Sequence, residues 1–277
     1  MSAKLKKAVK KEIEAGIEKK SDGRLLWLAK GWNNNFKEFI SGFDEENKRG
    51  DTIYDKRNSL IHININQELG IKEDIVIKEF KLTRKYDKLR FCFLNSKAIR
   101  SLDIALALEK INVNTPKPIA VIEKRGKFNK IIYSYFVTEY IDYDYNLLDI
   151  VKDDNHPLRG EVINFLPQIA QDVRKMHEAG IVHNDLHAGN VLVDNIDENP
   201  KFYYIDLNRG RIKEKLSTKI KLKDLARFKL WPKEWEIFMK NYAPENHQDL
   251  LDLMIKQREK RKRFLNFRRK LKGIFRK

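Results

Sequence analysis

Cysteine is nearly absent. One residue among 277, Cys92, cannot close an internal disulfide, which excludes a disulfide-stapled scaffold and fits a reducing compartment. Long apolar runs are also missing. The longest candidates, such as Ile131 to Val137, fall far short of the roughly 18 residues that a spanning helix needs. Residues 1–20 alternate Lys and Glu without an apolar stretch of the kind a secretory signal carries. A cytoplasmic protein without a membrane span is therefore expected. Histidine is sparse, and His156, His177 and His247 share no metal-ligand spacing, so no zinc is expected. No internal repeat is visible.

What is present is enough to fold. A chain of this length, 42% apolar and 10% aromatic, can bury one large or two small cores, which argues against global disorder. The net charge of +17 suggests a nucleic-acid partner until it is divided along the chain. Residues 1–20 carry +4 and residues 256–277 carry +11, leaving +2 for the body between them. Nucleic acid is accordingly not the expected partner, although binding by the basic tail alone would be strongly salt-dependent. In that tail Phe264, Phe267, Leu271, Ile274 and Phe275 recur at three- and four-residue steps, an apolar stripe on a helix otherwise made of Lys and Arg. The stripe is expected to pack on the domain first. Contact with an anionic membrane surface is the next reading, and an acidic partner the third.

Periodicity divides the chain. Leu5, Val9, Ile13 and Ile17 predict a helix from Lys4 to about Lys20, and residues 1–50 read as a helical N-terminal extension. Residues 51–138 shift to β-like runs: Thr52 to Tyr54, Leu60 to Ile65, Ile75 to Phe80, Pro118 to Glu123 and Ile131 to Glu139. One helical segment, Lys97 to Lys110, interrupts them, which suggests a small antiparallel sheet with an inserted helix. A joining segment follows over 139–144. Residues 145–255 are mainly helical, with helices expected over Asn146 to Val151 and Glu161 to Ala179, the latter capped by Gly180. Short strand-like runs follow at Asn190 to Val193 and Phe202 to Leu207. Residues 256–277 form the basic amphipathic helix.

The chemistry concentrates in His183-Asn184-Asp185-Leu186-His187-Ala188-Gly189-Asn190 and in Tyr204-Ile205-Asp206-Leu207-Asn208-Arg209. Phosphoryl transfer needs a carboxylate near the attacking hydroxyl, oxygen ligands for Mg²⁺ and a cation on the nucleotide phosphates. An Asp followed five residues later by Asn fits a loop that aims both side chains at one place. Asp185 is then the base or orienting group and Asn190 a metal ligand. Asp206, at the end of an apolar run, is the second metal ligand. A lone Asp-x4-Asn is most often a polar turn, and it is the order of the elements that favours chemistry here.

His183-x-Asp185-x4-Asn190 followed by Ile205-Asp206 resembles the catalytic and metal-binding loops of the protein-kinase-like superfamily. Val76-Ile77-Lys78-Glu79-Phe80, Ser96-Lys97-Ala98 with Arg100, Thr115-Pro116-Lys117-Pro118-Ile119 and Asp206-Leu207-Asn208-Arg209-Gly210-Arg211 are similar to the lipopolysaccharide core kinases within it, which include the Kdo and heptose kinases. The resemblance covers about residues 50–230. It implies an α+β, bilobal fold with a small antiparallel-sheet N-lobe and a mainly helical C-lobe, binding Mg²⁺ and ATP between them. By the same resemblance Lys78 contacts the ATP phosphates, the backbone of Glu139, Tyr140 and Ile141 reads the adenine edge, and His183 supports the loop. His187, from its spacing, would stabilise charge on the transferred group.

The family pattern is broken twice. A glutamate that would pair with Lys78 is replaced by Ser101, and no G-x-G-x-x-G run precedes Lys78. Arg57, in the hairpin near Lys56-Arg57-Asn58-Ser59, is the candidate to cover the phosphates instead. The expected activity is ATP-dependent phosphorylation of a sugar hydroxyl on a lipid-linked acceptor at the inner face of the membrane. A protein kinase of the same fold, or an impaired pseudokinase acting as a binding module, are the alternatives, and the oligomeric state is open.

Overall fold

The computed structural model describes residues 2–44, 49–56 and 58–274, with side chains through residue 269. They form two compact units. One comprises Ala3–Asp142 together with Asp206–Gly210, and the other Tyr143–Ile205 with the chain from Arg211 onward.

The N-terminal unit is built on one antiparallel sheet. Its helices are α1 (Ser2–Gly16), α2 (Asn34–Gly42), α3 (Lys85–Phe93) and α4 (Lys97–Glu109). Its strands are β1 (Ile17–Lys19), β2 (Arg24–Leu28), β3 (Asp51–Asp55), β4 (Ser59–Ile63), β5 (Ile75–Glu79), β6 (Pro118–Arg125) and β7 (Ile131–Glu139). The strand order is β1-β2-β6-β7-β5-β4-β3, with every neighbouring pair antiparallel. Alternation along the strands sorts the side chains. In β5, Ile75 and Ile77 join the core that Phe36, Ile40 and Phe43 of α2 and the loop after it complete, while Val76 and Lys78 go to the opposite face. Ser96 begins α4 by accepting from the Ile99 N–H at 3.1 Å. The segment Asp206–Gly210 belongs here because it packs on α4. A Cβ on Gly210 would come within 2.7 Å of the Ile104 side chain, so only glycine fits.

The expected helical extension over residues 1–50 is corrected by this sheet. The helix stops at Gly16, and Ile17–Lys19 and Arg24–Leu28 are strands of the same sheet, paired Ile17 to Trp27 and Trp27 to Val121. Ile17, placed on the helix by its spacing, is a strand residue. Asp22-Gly23 makes the turn, with Gly23 at φ +82°.

The second unit is mainly helical. Its helices are α5 (Leu147–Lys152), α6 (Val162–Glu178), α7 (Thr218–Leu225), α8 (Pro232–Tyr242) and α9 (His247–Ile274). The short strands are β8 (Tyr145–Asn146), β9 (Ile181–Val182), β10 (Val191–Asp194), β11 (Lys201–Tyr204) and β12 (Arg211–Ile212). They pair β11-β10-β8 and β12-β9, all antiparallel. The apolar stripe of α6, with Phe165, Leu166, Ile169, Val173 and Met176, is buried. Gly180, at φ +81°, ends it where a Cβ would meet the Lys213 carbonyl oxygen at 2.2 Å.

The basic tail is part of α9, which starts nine residues before position 256. Phe264 and Phe267 are 57% and 58% exposed, so the expectation that this stripe packs on the domain fails for both. The side chains of Leu271 and Ile274, and all of Phe275, lie outside the described residues. No helix among the described residues is long and apolar enough to cross a membrane.

Candidate active site

The loop His183–Asn190 of the second unit is held from below. Asp224, at the end of α7 and 2% exposed, accepts the His183 N–H through Oδ2 and the Asn184 N–H through Oδ1, both at 2.8 Å. Burial alone would raise its carboxyl. The neighbouring His177 and His183, with the His183 amide, outweigh that and hold it below the ordinary aspartate value. Asn184 takes the left-handed conformation, φ 62°, which asparagine tolerates and which turns Asp185 out of the chain direction.

His183 ties the loop sideways. Its Nδ1 accepts from the Asp185 N–H at 3.3 Å, so Nε2 carries the proton and donates to the Ile205 carbonyl at 3.1 Å. This is the supporting role expected of it. Asp185 itself is paired: its Oδ1 receives Arg227 Nη1 at 2.8 Å.

Asn190 is fixed at three points. Its N–H donates to the His187 carbonyl at 2.9 Å, its carbonyl accepts from Ile205 N–H at 3.0 Å, and its side-chain Nδ2 donates to the Asp185 carbonyl at 2.9 Å. With the amide nitrogen committed there, Oδ1 is the side chain's acceptor. His187 Nδ1 accepts from the Gly189 N–H at 3.1 Å, which leaves Nε2 as the protonated nitrogen and makes the 3.3 Å approach of Asn190 Nδ2 a contact rather than a hydrogen bond.

The N-terminal unit holds the other predicted residues. Lys78 Nζ lies 2.7 Å from Asp206 Oδ1, although 128 positions separate them in sequence. Asn208 Nδ2 donates to the same oxygen at 2.5 Å. Asp206 stands at φ 58°, ψ 48°, a left-handed position. The partner that sequence could not assign to Lys78 is thus Asp206. Ser101, where a glutamate was expected, is buried and donates to the Lys97 carbonyl of its own helix at 2.9 Å.

At the end of β7 the backbone is arranged unusually. The Glu139 N–H donates to the Lys117 carbonyl at 3.0 Å, and the Tyr140 N–H to the Asp74 carbonyl at 2.9 Å. The return donor, Lys117 N–H, goes instead to the Glu139 side chain, Oε1, at 2.9 Å. The Glu139 carbonyl is spared that ladder bond. Burial raises the Glu139 carboxyl, while the Lys117 amide and ammonium pull it down. The hairpin expected in place of a glycine loop is present as β3–β4, closed by Lys56 N–H to the Asn58 carbonyl at 3.1 Å. Arg57 lies outside the described residues.

Each unit offers an oxygen donor of the kind a hard cation such as Mg²⁺ takes, Asn190 Oδ1 in the second and the Asp206 carboxylate, on left-handed backbone between an amine and an amide, in the first.

Two residues escaped sequence reasoning. Asp224 leaves one signal, a carboxylate between Leu222 and Leu225 on the buried side of a helix. Arg227, three residues on, leaves none that separates it from the many surface arginines.

The chain is similar to several known kinases. A 3-deoxy-D-manno-octulosonic acid kinase of Haemophilus influenzae is 27% identical over 128 residues, covering 45% of this chain and 51% of that protein. One of Vibrio cholerae is 30% identical over 103 residues, covering 37% and 39%. The chain spans about half the length of the Haemophilus relative. A solved structure of WaaP in complex with acyl carrier protein superposes with TM-score 0.57 at 18% identity, covering 85% of this chain and 98% of that one, which establishes the kinase-like fold. Since the model of the lipopolysaccharide kinase (Kdo/WaaP) family matches residues 77–250, well over half its length, the chain belongs to that family.

Proposed function

We propose that the protein transfers the γ-phosphate of ATP to a sugar hydroxyl of a lipopolysaccharide core-type glycolipid. The observation that carries the reading is the Lys78–Asp206 pair, which brings a phosphate-binding amine to a metal-binding carboxylate across 128 residues. The Kdo kinases among the relatives supply the acceptor class.

The chain's own groups divide the work. Lys78 binds the nucleotide phosphates, and the Glu139 carbonyl with the Ile141 N–H meets the adenine edge. Asn190 and Asp206 hold Mg²⁺, which when bound neutralises phosphate charge. Asp185 accepts the proton of the sugar hydroxyl as its oxygen bonds to the γ-phosphorus and the bond to the ADP oxygen breaks. His187, protonated at Nε2, donates toward the transferred group. Such a reaction depends on positioning and charge neutralisation more than on covalent help from the protein.

Purified protein incubated with [γ-³²P]ATP, Mg²⁺ and an extracted glycolipid pool should label glycolipid, with a gain of one phosphate by mass spectrometry. Asp206→Ala should reduce transfer at least about a hundredfold while melting near the parental temperature. Parental transfer by that variant would overturn the site assignment, and label confined to protein would favour the protein-kinase alternative.

The exposed Phe264 and Phe267 on a basic helix suit an anionic bilayer, where such an acceptor resides. Binding to anionic vesicles should fall with added salt and with deletion of residues 256–277. Equal binding without them would remove the membrane role.

A further inference from the structure

The base that is to receive a proton is already engaged. Asp185 gives Oδ1 to Arg227 at 2.8 Å, and each lone pair held by the guanidinium is one fewer for an incoming hydroxyl. Arg227 sits in the turn that leaves α7, its N–H on the Asp224 carbonyl at 3.2 Å. A single short turn therefore grips both the backbone of the catalytic loop, through Asp224, and its acidic side chain, through Arg227.

Helix α9 is fastened close to this turn. Arg258 anchors α9 there, with Nη1 on the Leu230 carbonyl at 3.1 Å and its guanidinium 5.5 Å from the Trp235 ring centre. Arg261 follows three residues later on the same face. Burial and the Arg227 charge depress the Arg261 guanidinium, and the Asp185 charge pulls it back up. Arg227 gives Nη1 to Asp185 and its side chain stays 21% exposed beside the group that must meet the acceptor, with the turn of α9 that leads to Arg261 held on Leu230, three residues beyond it. Arginine's planar fork matches carboxylate and phosphate oxygens in pairs, so an Arg227 that shares its donors between Asp185 and a second group suits an oxyanion.

Resting on the function proposed above, we infer that Arg227, flanked by Arg261 of α9, forms an anion subsite for the acceptor, reading a carboxylate or phosphate on the sugar near the hydroxyl that is phosphorylated. As the anion docks, Arg227 shares its donors with it, and Asp185 Oδ1 turns to the hydroxyl. The relatives' substrate, an octulosonic acid, carries such a carboxylate.

The test uses the full chain and three probes: a glycolipid bearing 3-deoxy-D-manno-octulosonic acid and lipid phosphates, its carboxyl methyl ester, and its dephosphorylated form. Steady-state transfer is measured alongside calorimetric binding without ATP. The parent should bind the unmodified lipid roughly ten- to a hundredfold better than whichever modified form lacks the recognised anion, the scale of a charge-assisted hydrogen bond. Loss on esterification assigns the carboxylate, and loss on dephosphorylation the phosphate. Arg227→Gln should raise KM by a similar factor and lose the discrimination between probes. Arg261→Gln, outside the loop's hydrogen-bond net, should do the same to a smaller degree and serves if the first variant fails to fold. Equal binding of all three probes by the parent, or a fall in kcat at unchanged KM in Arg227→Gln, would overturn the subsite while leaving the kinase reading intact. Binding that depends on the anion and on Arg227, without transfer to any glycolipid, would support the subsite and sink the kinase reading.

Discussion

Two regions of the C-terminal unit each bury an aspartate, with opposite results. Beneath the His183–Asn190 loop Asp224 is 2% exposed and its carboxyl is held below the ordinary value. Between α6 and β11 Asp172 is 4% exposed and its carboxyl is raised. The difference lies in the donors. Asp224 receives two backbone amides at 2.8 Å, with the His177 imidazole 3.5 Å away. Asp172 receives the Gln168 amide at 2.9 Å, but only a distant Tyr204 hydroxyl at 3.5 Å and Lys175 at 3.6 Å. Burial penalises both charges, and only convergent donors outweigh it. The structure spends such donors under the loop proposed to carry the chemistry.

Breaking the strong side of this contrast should have the larger effect. Asp224→Ala leaves the His183 and Asn184 amides buried without their acceptor, at a cost of roughly 3 kcal/mol, and thermal melting should fall by on the order of 10 °C. Phosphotransfer should decline further than the loss of folded protein explains, because Asp185 loses its aim. An unchanged melting temperature would show that the loop is anchored elsewhere.

The weaker side is read through pH. Asp224, with its lowered folded value, contributes stability that is complete above its unfolded value near 3.8 and lost as pH falls through the folded one. For Asp172 the sign reverses. Burial raises its folded value, so the folded chain binds the extra proton and stability declines as pH rises from about 3.8 through that value. Asp172→Asn should therefore gain in melting temperature relative to the parent between about pH 4 and pH 7, by less than Asp224→Ala loses. A difference that stays flat with pH would reject the assignment.

Most of the fold was legible where periodicity is strong. β7 was predicted at its observed limits, α4 and α6 to within one residue at each end, and Gly180 caps α6 as expected. The His183–Asn190 loop stood out as a candidate because its polar side chains lie within eight residues of one another. β1 and β2 were missed for a physical reason. Ile17-Glu18-Lys19 is a charged edge strand without apolar alternation, and the helical spacing of Leu5, Val9 and Ile13 runs straight into it. Gly16 was the available warning. A Cβ there would approach the Trp27 indole to 2.5 Å, a contact created only by folding. The Lys78 partner was equally hidden, since Asp206 was read as a metal ligand and its second role depends on tertiary proximity. Asp224 and Arg227 act on neighbours some forty residues away, a distance that local pattern does not span.

The left-handed backbone at Asp206 has an evolutionary consequence. Glycine, asparagine and aspartate occupy that conformation at low cost, and of these only aspartate offers an anionic oxygen donor. Drift at this codon is therefore squeezed between backbone and chemistry. A descendant released from selection for turnover would slide first to Asn or Gly, preserving its shape, and those two letters at 206 in a homologue would mark the loss of activity before any other position recorded it.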